Sequence, residues 1–490
     1  MSEGKFSRDY QPIIGIEVHV QLLTKSKMFC GCNADYAGAP PNTHTCPVCA
    51  GMPGVLPVIN KRAVEQVIMT GSALHCHVAE TAVFARKNYN YPDLPKNYQI
   101  SMYERPLCIN GWLDIEADGV RRRIRIRRVH LEEDTAKLTH VDSYSLIDFN
   151  RSGVPLMEIV SEPDIRTPEE ARQYLIALRT ILRYLGVSTG DMEKGAMRCE
   201  ANISLRPVDS TELGTKVEVK NLNSFRSVKL ALEYEMERQR RILDAGGRIE
   251  QVTMGWDESA GRAVVQRSKE YAHDYRYFPE PDLPPLVISR EWVEEIKAQL
   301  PELAEAKARR FRDQYDLSEY DAKLLATDGA VADYFEATVA TGLDPKEATN
   351  WITSELFGLM REAGLSIEET KVRPQGLVEL VSLLQKGTIN RPTAKKVLAV
   401  MFQTGRAAAQ IVEERGLGRI GDEDQLSRIV AGVLEENPGP VQEYLGGKEA
   451  VLRFLIGQVM RATRGKADPQ LAGQLLKEQL TAMKTQERLQ

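Results

Sequence analysis

The sequence lacks a long apolar run and a recognisable export signal. No stretch approaches the roughly 20 apolar residues that a membrane-spanning helix needs, and the chain opens without the apolar core of a signal peptide. We therefore expect a cytoplasmic protein with no membrane association. Its seven cysteines would lie in a reducing compartment, where thiols bind metals more often than they pair as disulfides.

The sequence also lacks the common signatures of nucleotide-binding loops. It contains no G-x-x-x-x-G-K-[ST] phosphate loop and no internal repeat. One G-x-G-x-x-G pattern begins at Gly416, but it follows a helix-like segment instead of a strand, so we interpret Gly416 as a helix stop. Any nucleotide site must therefore have another architecture. The net charge of −5 argues against a protein that coats nucleic acid indiscriminately.

The length and the residue pattern predict three domains. The chain has 490 residues, of which 42% are hydrophobic and 27% charged, as in ordinary globular proteins. Residues 1–292 contain short period-two runs and two amphipathic helices, predicted at 167–185 and 227–245, so we expect an α+β fold with a mostly antiparallel sheet. Residues 293–408 and 409–490 are predicted to form two all-α domains.

Four of the cysteines form a metal-binding pattern. Cys30 and Cys32 have Cys-x-Cys spacing, and Cys46 and Cys49 have Cys-x-x-Cys spacing. Four thiolates at these spacings can close a tetrahedral zinc site that has no open position for chemistry. We therefore predict a structural zinc ion. The alternative is a redox Cys-Pro-x-Cys pair with two uninvolved cysteines.

An acid and an imidazole share one face of the first predicted strand. Glu17 and His19 alternate with apolar residues, so both side chains point to the same side. Two further acids stand where they need a partner: Glu132 opens the triplet Glu132–Asp134, and Glu158 lies inside an otherwise apolar strand. Donors from three strands suit a Mg²⁺ site with positions left for water and phosphate. The imidazole is softer than Mg²⁺ prefers, so Mn²⁺ could bind better.

Each part of this pattern also has an ordinary interpretation. Glu17 and His19 could belong to a solvated sheet face. The acid triplet could cap a helix, and Glu158 could pair with a buried arginine. Cations on nearby strand faces favour the metal-phosphate interpretation, because Arg and Lys beside a carboxylate-bound metal are the equipment for phosphoryl transfer.

Several long motifs resemble a single family. They are Ile-Gly-Ile-Glu17-Val-His19-Val, Met52-Pro-Gly-Val-Leu-Pro57, Arg86-Lys-Asn-Tyr-Asn-Tyr-Pro-Asp93, His130-Leu-Glu-Glu-Asp134, Asp148-Phe-Asn-Arg-Ser-Gly-Val-Pro-Leu-Met-Glu158-Ile-Val-Ser-Glu-Pro-Asp164 and Lys220-Asn-Leu-Asn-Ser-Phe225. From about residue 12 to its last helix, the chain is similar to the B subunits of the aspartyl/glutamyl-tRNA amidotransferase.

The resemblance implies a fold, an activity and partners. The fold would be a cradle domain related to glutamine synthetase, followed by a helical domain and a mobile helical tail. The activity would be ATP-dependent amidation of Glu-tRNA(Gln) or Asp-tRNA(Asn). A glutaminase, which is the A component of the complex, would supply ammonia through a tunnel, and a small C component would join the two. The chain has no Ser/Cys-His nucleophile set of its own, so alone it should not act on glutamine.

The resemblance also assigns roles to residues. The Mg²⁺ ligands would be Glu17, His19, Glu132 and Glu158, with Glu133 as the adjacent substitute for Glu132. Zinc would be held by the four cysteines, and because some family members lack them, it would support the fold. The phosphate contacts of ATP are nominated from charge and strand face alone, and they are Lys87, Arg198, Asn202, Ser204 and Lys220. The candidate tRNA contacts in the tail are Arg461, Arg464 and Lys466.

Two other functions remain open on the sequence alone. The chain could be a non-catalytic tRNA-binding scaffold whose acids hold a structural metal. It could also be a ligase of the glutamine-synthetase type that acts on a free amino acid, although such a small substrate needs no long helical half.

Overall fold

Period-two alternation gives the N-terminal part of the chain a large sheet. In the strand Tyr10–Gln21, Ile16, Val18 and Val20 are fully buried on one face, and the residues between them are partly buried on the other. The computed structural model describes residues 9–268, 275–418, 423–463 and 466–487. The chain divides into two compact units, Met1–Ala304 and Glu305–Gln490.

Within the described residues, the strands all lie in the first unit. They are β1 (Tyr10–Gln21), β2 (His77–Val78), β3 (Thr81–Ala82), β4 (Ala85–Asn88), β5 (Tyr98–Ser101), β6 (Cys108–Ala117), β7 (Val120–Glu133), β8 (Lys137–Val141), β9 (Tyr144–Asp148), β10 (Pro155–Ser161), β11 (Met197–Pro207), β12 (Val217–Leu222), β13 (Val252–Asp257), β14 (Arg262–Ser268), β15 (Phe278–Pro279) and β16 (Leu286–Val287).

Over the described residues, nine of these strands form one sheet in the order β14-β13-β12-β11-β1-β10-β7-β6-β2. The pairings in this sheet are antiparallel, apart from the parallel pair β12 and β13. Smaller sheets have the orders β15-β4-β5, β16-β3 and β8-β9. The predicted α+β fold with a large, mostly antiparallel sheet is therefore confirmed.

The helices of the first unit pack with the apolar face of the sheet. They are α1 (Lys61–Ala73), α2 (Pro168–Tyr184), α3 (Phe225–Asp244) and α4 (Arg290–Lys297). Their buried residues, such as Val67 and Leu178, join Val18 and Ile159 of the sheet in one core.

The predicted helix at 167–185 is confirmed, because Thr167 Oγ1 accepts a hydrogen bond from the Glu170 amide at 3.0 Å and Pro168 takes the first helical position. Helix α1 was not predicted. Its signal was Asn60, whose side chain accepts from the amides of Arg62 and Ala63. Gly71 inside α1 weakens the helix signal, because glycine is unfavourable in a helix interior. The structure requires glycine here, since a Cβ at Gly71 would come within 2.4 Å of the Cys108 sulfur.

The helices from α5 onward form the C-terminal part of the chain. They are α5 (Ala304–Tyr315), α6 (Glu319–Ala326), α7 (Gly329–Ala340), α8 (Pro345–Asn350), a π-helical turn (Trp351–Leu356), α9 (Phe357–Ala363), α10 (Pro374–Gln385), α11 (Arg391–Thr404), α12 (Ala408–Glu414), α13 (Glu423–Glu436), α14 (Pro438–Leu445), a 3₁₀ turn (Glu449–Val451), α15 (Leu452–Ala462) and α16 (Pro469–Glu487). The helical character predicted for this part of the chain is confirmed.

Two backbone features of these helices stand out. The helical segment from Pro345 to Ala363 contains the π-helical turn, in which Trp351 and Leu356 lie one wide turn apart and are both fully buried. Gly416 is a helix stop as predicted. It follows α12 with a φ of 53°, a conformation that favours glycine, and its amide donates to the Glu413 carbonyl at 3.0 Å.

The second unit contains two hydrophobic clusters. Helices α5 to α12 contribute to the first, around Phe311, Phe335 and Trp351. Helices α13 to α16 contribute to the second, around Val430 and Leu476. The division into three domains at residues 292 and 408 stays a prediction. In the part of the chain that the structure describes, no helix has both the length and the apolar character that a membrane crossing requires.

Replacing Leu178 with alanine tests the core between α2 and the sheet. Leu178 is fully buried, so Leu178→Ala should lower the free energy of unfolding by about 2–5 kcal/mol. Urea denaturation followed by circular dichroism measures this change. The matched control is Leu230→Ala on α3, where the leucine is 36% exposed and the change should stay below about 1 kcal/mol. Equal losses in the two variants would contradict the assigned core.

Candidate functional site

Strand register places four polar side chains in one row across the sheet. Arg198 on β11 lies opposite His19 on β1, His19 lies opposite Glu158 on β10, and Glu158 lies opposite His130 on β7. Directly opposed residues in antiparallel strands point to the same face. Glu132 is two residues beyond His130 on β7, so it shares that face as well.

His19, Glu132 and Glu158 form the group that we call the acid–imidazole cluster. One nitrogen or oxygen from each of the three lies within 4.8 Å of the other two. His19 Nε2 is 3.8 Å from Glu132 Oε2 and 3.6 Å from Glu158 Oε2. Both carboxylates are buried. Two carboxylate oxygens and one imidazole nitrogen are a donor set that fits a divalent cation and leaves positions for water and phosphate.

The charges in the cluster depend on one another. Burial alone would lower the pKa of His19, but the neighbouring Glu158 and Glu132 carboxylates outweigh this and raise it to about 9. Burial alone would raise the pKa of Glu158, but His130 and His19 hold it well below its ordinary value. Burial and the Glu158 charge would raise the pKa of Glu132, but His130, Lys87 and His19 hold it below its ordinary value. Both carboxylates are therefore ionised at neutral pH, and a cation that binds here would displace the proton from His19, because only the neutral imidazole is a metal ligand.

His130 is a member of this site that the sequence analysis did not nominate. Its Nε2 atom lies 3.5 Å from Glu132 Oε1 and 3.3 Å from Glu158 Oε2. Ser101 Oγ donates to Glu132 Oε1 at 2.7 Å, and Gln99 Nε2 donates to Glu132 Oε2 at 3.2 Å. These contacts orient the two carboxylates, as partners behind metal ligands commonly do. The signal was available, because His130 and Glu132 are two residues apart on one strand.

Each of the three consecutive acids, Glu132 to Asp134, has a different partner. Glu132 enters the acid–imidazole cluster. Glu133 points to the opposite face of the strand, where its Oε1 atom accepts from Lys96 Nζ at 2.7 Å. Glu133 therefore does not replace Glu132 in the acid–imidazole cluster. Asp134 accepts from Arg198 at 2.7 Å. Because Glu132 and Glu133 end strand β7, the helix-cap interpretation of the triplet is wrong.

Glu17 lies one step away from the cluster on β1. Its Oε1 atom accepts from Asn202 Nδ2 at 3.0 Å. Burial raises the pKa of Glu17, and the nearby Glu158 and Glu200 charges raise it further. The Glu17 carboxylate does not lie within 4.8 Å of the donor atoms of all three cluster residues, so it is outside the acid–imidazole cluster. The alternative of an arginine partner for Glu158 is weak, because Arg128 approaches it only to 3.9 Å, farther than either histidine.

The five nominated phosphate contacts lie in different surroundings. Burial alone would lower the pKa of Lys87, but Glu132 and Glu158 raise it, so its ammonium lies in the field of the cluster. Lys220 is paired with Glu200 at 2.7 Å, and Arg198 is paired with Asp134. Asn202 and Ser204 line a cavity of about 490 Å³ beside Glu17.

The four nominated cysteines form a second cluster, with their sulfur atoms within 4.8 Å of one another. Cys49 Sγ is 4.0 Å from Cys32 Sγ and 3.9 Å from Cys46 Sγ. Tetrahedral zinc with Zn–S bonds of about 2.3 Å needs sulfur separations of about 3.8 Å, so the donor set fits the ion. Since all four sulfurs gather, Cys30 and Cys32 are not bystanders to a redox pair.

The nominated tail residues fall on and after α15. Arg461 is exposed near the end of this helix. Lys466 is partly buried, and its ammonium donates to the Gly416 carbonyl. Arg464 lies outside the described residues.

Comparison with known proteins gives a consistent result along the chain. A family model for the GatB/GatE catalytic domain matches residues 12–294, and a model for the GatB domain matches residues 333–480. These matches cover both the sheet with its two clusters and most of the helical part.

Similar curated proteins carry one name. A protein from Thermomicrobium roseum is 57% identical over 477 residues, which is 96% of this chain and 99% of the relative. A protein from Dehalococcoides mccartyi is 56% identical over 486 residues, again 96% and 99%, and one from Carboxydothermus hydrogenoformans is 52% identical over 481 residues, 97% and 100%. Each is named as the B subunit of an aspartyl/glutamyl-tRNA(Asn/Gln) amidotransferase.

Cys32→Ser tests the second cluster. A serine hydroxyl is a poor zinc ligand, so the variant should lose most of the zinc that the native chain carries, which we expect to be about one ion per chain. Elemental analysis after gel filtration measures this content. The control is Cys76→Ser, a cysteine outside the cluster, which should keep the zinc. Native chain without zinc, or a Cys32→Ser variant that retains it, would contradict the assignment.

Proposed function

The chain belongs to the GatB/GatE family of aspartyl/glutamyl-tRNA(Asn/Gln) amidotransferase B subunits, and on this basis we propose that it catalyses ATP-dependent amidation of an aminoacyl-tRNA. The observation that carries the proposal is the acid–imidazole cluster, because ionised carboxylates and an imidazole beside the Lys87 ammonium suit a phosphoryl-transfer site. We propose further that this sheet is the core of a cradle of the glutamine-synthetase type.

The proposed chemistry has two steps. The side-chain carboxylate of Glu-tRNA(Gln) or Asp-tRNA(Asn) is resonance-stabilised, and ammonia does not displace its oxygen. Transfer of the γ-phosphoryl group from ATP gives an acyl phosphate and releases ADP. The lone pair of ammonia then attacks the acyl carbon, and the phosphate leaves with the bonding electrons, giving the amide. Which of the two tRNAs is used depends on the synthetases of the cell.

The chain's own residues would bind, orient and balance charge in these steps. His19, Glu132 and Glu158 would hold a divalent ion, Mg²⁺ or Mn²⁺, with Glu17 beside them. When bound, the ion would offset the negative charge of the phosphates. His130, Ser101 and Gln99 would keep the two carboxylates in place.

Cationic and polar side chains would complete the site. Lys87, whose pKa is raised by the Glu132 and Glu158 charges, would serve the phosphoryl group. Asn202 and Ser204 line the cavity beside Glu17 and would contact ATP there. Arg198 is paired with Asp134 and Lys220 with Glu200. Because these ion pairs already use part of their charge, both would make weaker contacts with the phosphates.

The remaining parts would serve the larger complex. Zinc in the four-cysteine cluster would stabilise the loops around it without taking part in the chemistry. Residues 409–490 would contact the tRNA backbone, with Arg461, Arg464 and Lys466 as the contacts. The glutaminase component would deliver ammonia and the small C component would join the assembly, in the cytoplasm.

Glu158→Gln tests the proposed catalytic site. The substitution removes one negative charge from the metal donors, so formation of Gln-tRNA(Gln) should fall on the order of 100-fold or more. The assay uses the chain assembled with its glutaminase and small C components, Mg-ATP, ammonium chloride and Glu-tRNA(Gln). Mn²⁺ binding, followed by electron paramagnetic resonance, should weaken in the same variant while tRNA binding is retained.

The matched control is Glu162→Gln, a nearby acid that is paired with Arg127 at the surface, and its activity should stay near the native level. Unchanged product from Glu158→Gln would show that Glu158 is structural and would contradict the metal assignment. If the native assembly makes no product, the non-catalytic scaffold becomes the better description.

A chain that ends after Gly418 tests the proposed role of the tail. This end point keeps α12, whose Ala408 and Ile411 pack into the core around Trp351. Loss of the tail, with its proposed contacts Arg461, Arg464 and Lys466, should weaken affinity for Glu-tRNA(Gln) at least about ten-fold, measured by filter binding at fixed salt. Mn²⁺ binding to the acid–imidazole cluster serves as the control and should be unchanged. Native tRNA affinity in the shortened chain would contradict the tail assignment.

A further inference from the structure

A lysine ammonium lies buried beside the four-cysteine cluster. The Lys27 side chain is 0% exposed, which is rare for lysine. Its Nζ atom donates to the carbonyl oxygen of His44 at 2.8 Å, to that of Phe149 at 3.2 Å and to Cys49 Sγ at 3.6 Å. An ammonium has three protons to donate, so these contacts satisfy it fully.

The acceptors around Lys27 do not include a carboxylate. In the described part of the chain, Lys27 forms no ion pair with an aspartate or glutamate. A buried charge is costly unless an opposite charge lies nearby. The four cysteines can supply that charge, because four thiolates around a dipositive ion leave two negative charges in excess.

We propose that Lys27 is the counter-cation of the four-cysteine metal site, a positioning residue that stabilises the charged thiolate cluster through Cys49. The inference rests on metal binding by the four cysteines. Cys49 Sγ also accepts from the Cys46 amide at 3.2 Å, so this sulfur receives both a backbone donor and the lysine charge. Partners behind the ligands are known to set metal affinity.

The same lysine ties the metal site to the sheet. Its second acceptor, the Phe149 carbonyl, starts a turn whose Ser152 hydroxyl donates to the Cys49 carbonyl at 3.1 Å. Gly153 in this turn accepts from the Met28 amide at 2.7 Å. The turn runs directly into β10, the strand that carries Glu158. Lys27 therefore contacts both the four-cysteine cluster and the turn that leads into the strand carrying Glu158.

The test separates the charge of Lys27 from its hydrogen bonds. Lys27→Gln keeps a donor for the loop carbonyls but removes the positive charge, whereas Lys27→Arg keeps the charge. The matched control is Lys25→Gln, an exposed lysine two residues away. Full-length variants that elute as folded monodisperse protein are loaded with Zn²⁺, and transfer of the ion to a chromophoric chelator is followed. Co²⁺-loaded samples are compared by absorption in the thiolate charge-transfer region.

We expect Lys27→Gln to weaken metal affinity about 10- to 100-fold and to shift the Co²⁺–thiolate band. Lys27→Arg and Lys25→Gln should remain close to native in both measurements. Native affinity and an unshifted band in Lys27→Gln would overturn the inference while leaving metal binding intact. Equal metal loss in Lys27→Gln and Lys27→Arg would also overturn it, because charge would not be the cause. If the native chain binds neither ion, the metal site itself is wrong.

Discussion

A shift of one residue in the pairing of β1 with β10 would place Val18 opposite Glu158 and turn His19 to the other face. The register of β11, β1, β10 and β7 is therefore the constraint on which the site depends. It is held by the apolar residues between the polar ones, since Val18, Ile159 and their neighbours are buried in the core. The same alternation that stabilises the sheet also aligns the acids and imidazoles on its opposite face.

Neutralisation of buried charge explains much of the remaining arrangement. Three consecutive acids follow His130 and Leu131, and each finds a different positive or polar partner: Glu132 the histidines, Glu133 Lys96, and Asp134 Arg198. These partners offset the repulsion among the three neighbouring acids. A cation bound at the acid–imidazole cluster would continue the same compensation.

The two clusters are joined through the chain between them. The cysteines lie on the loops that follow β1, and the turn after Phe149 connects these loops to β10. A structural metal there would restrict the strand that carries Glu158 without touching a substrate.

The sequence by itself determined the class of the fold and nominated residues for both clusters, because period-two alternation, cap residues such as Thr167 and cysteine spacing are local signals. It also predicted that Glu17, His19, Glu132 and Glu158 belong to one region. Only the tertiary structure decided that Glu17 stands apart, that His130 supports both carboxylates and that Lys27 is buried beside Cys49. The reason is physical: which side chains meet across strands depends on register and on packing between distant segments, and neither is encoded in the spacing of neighbouring residues.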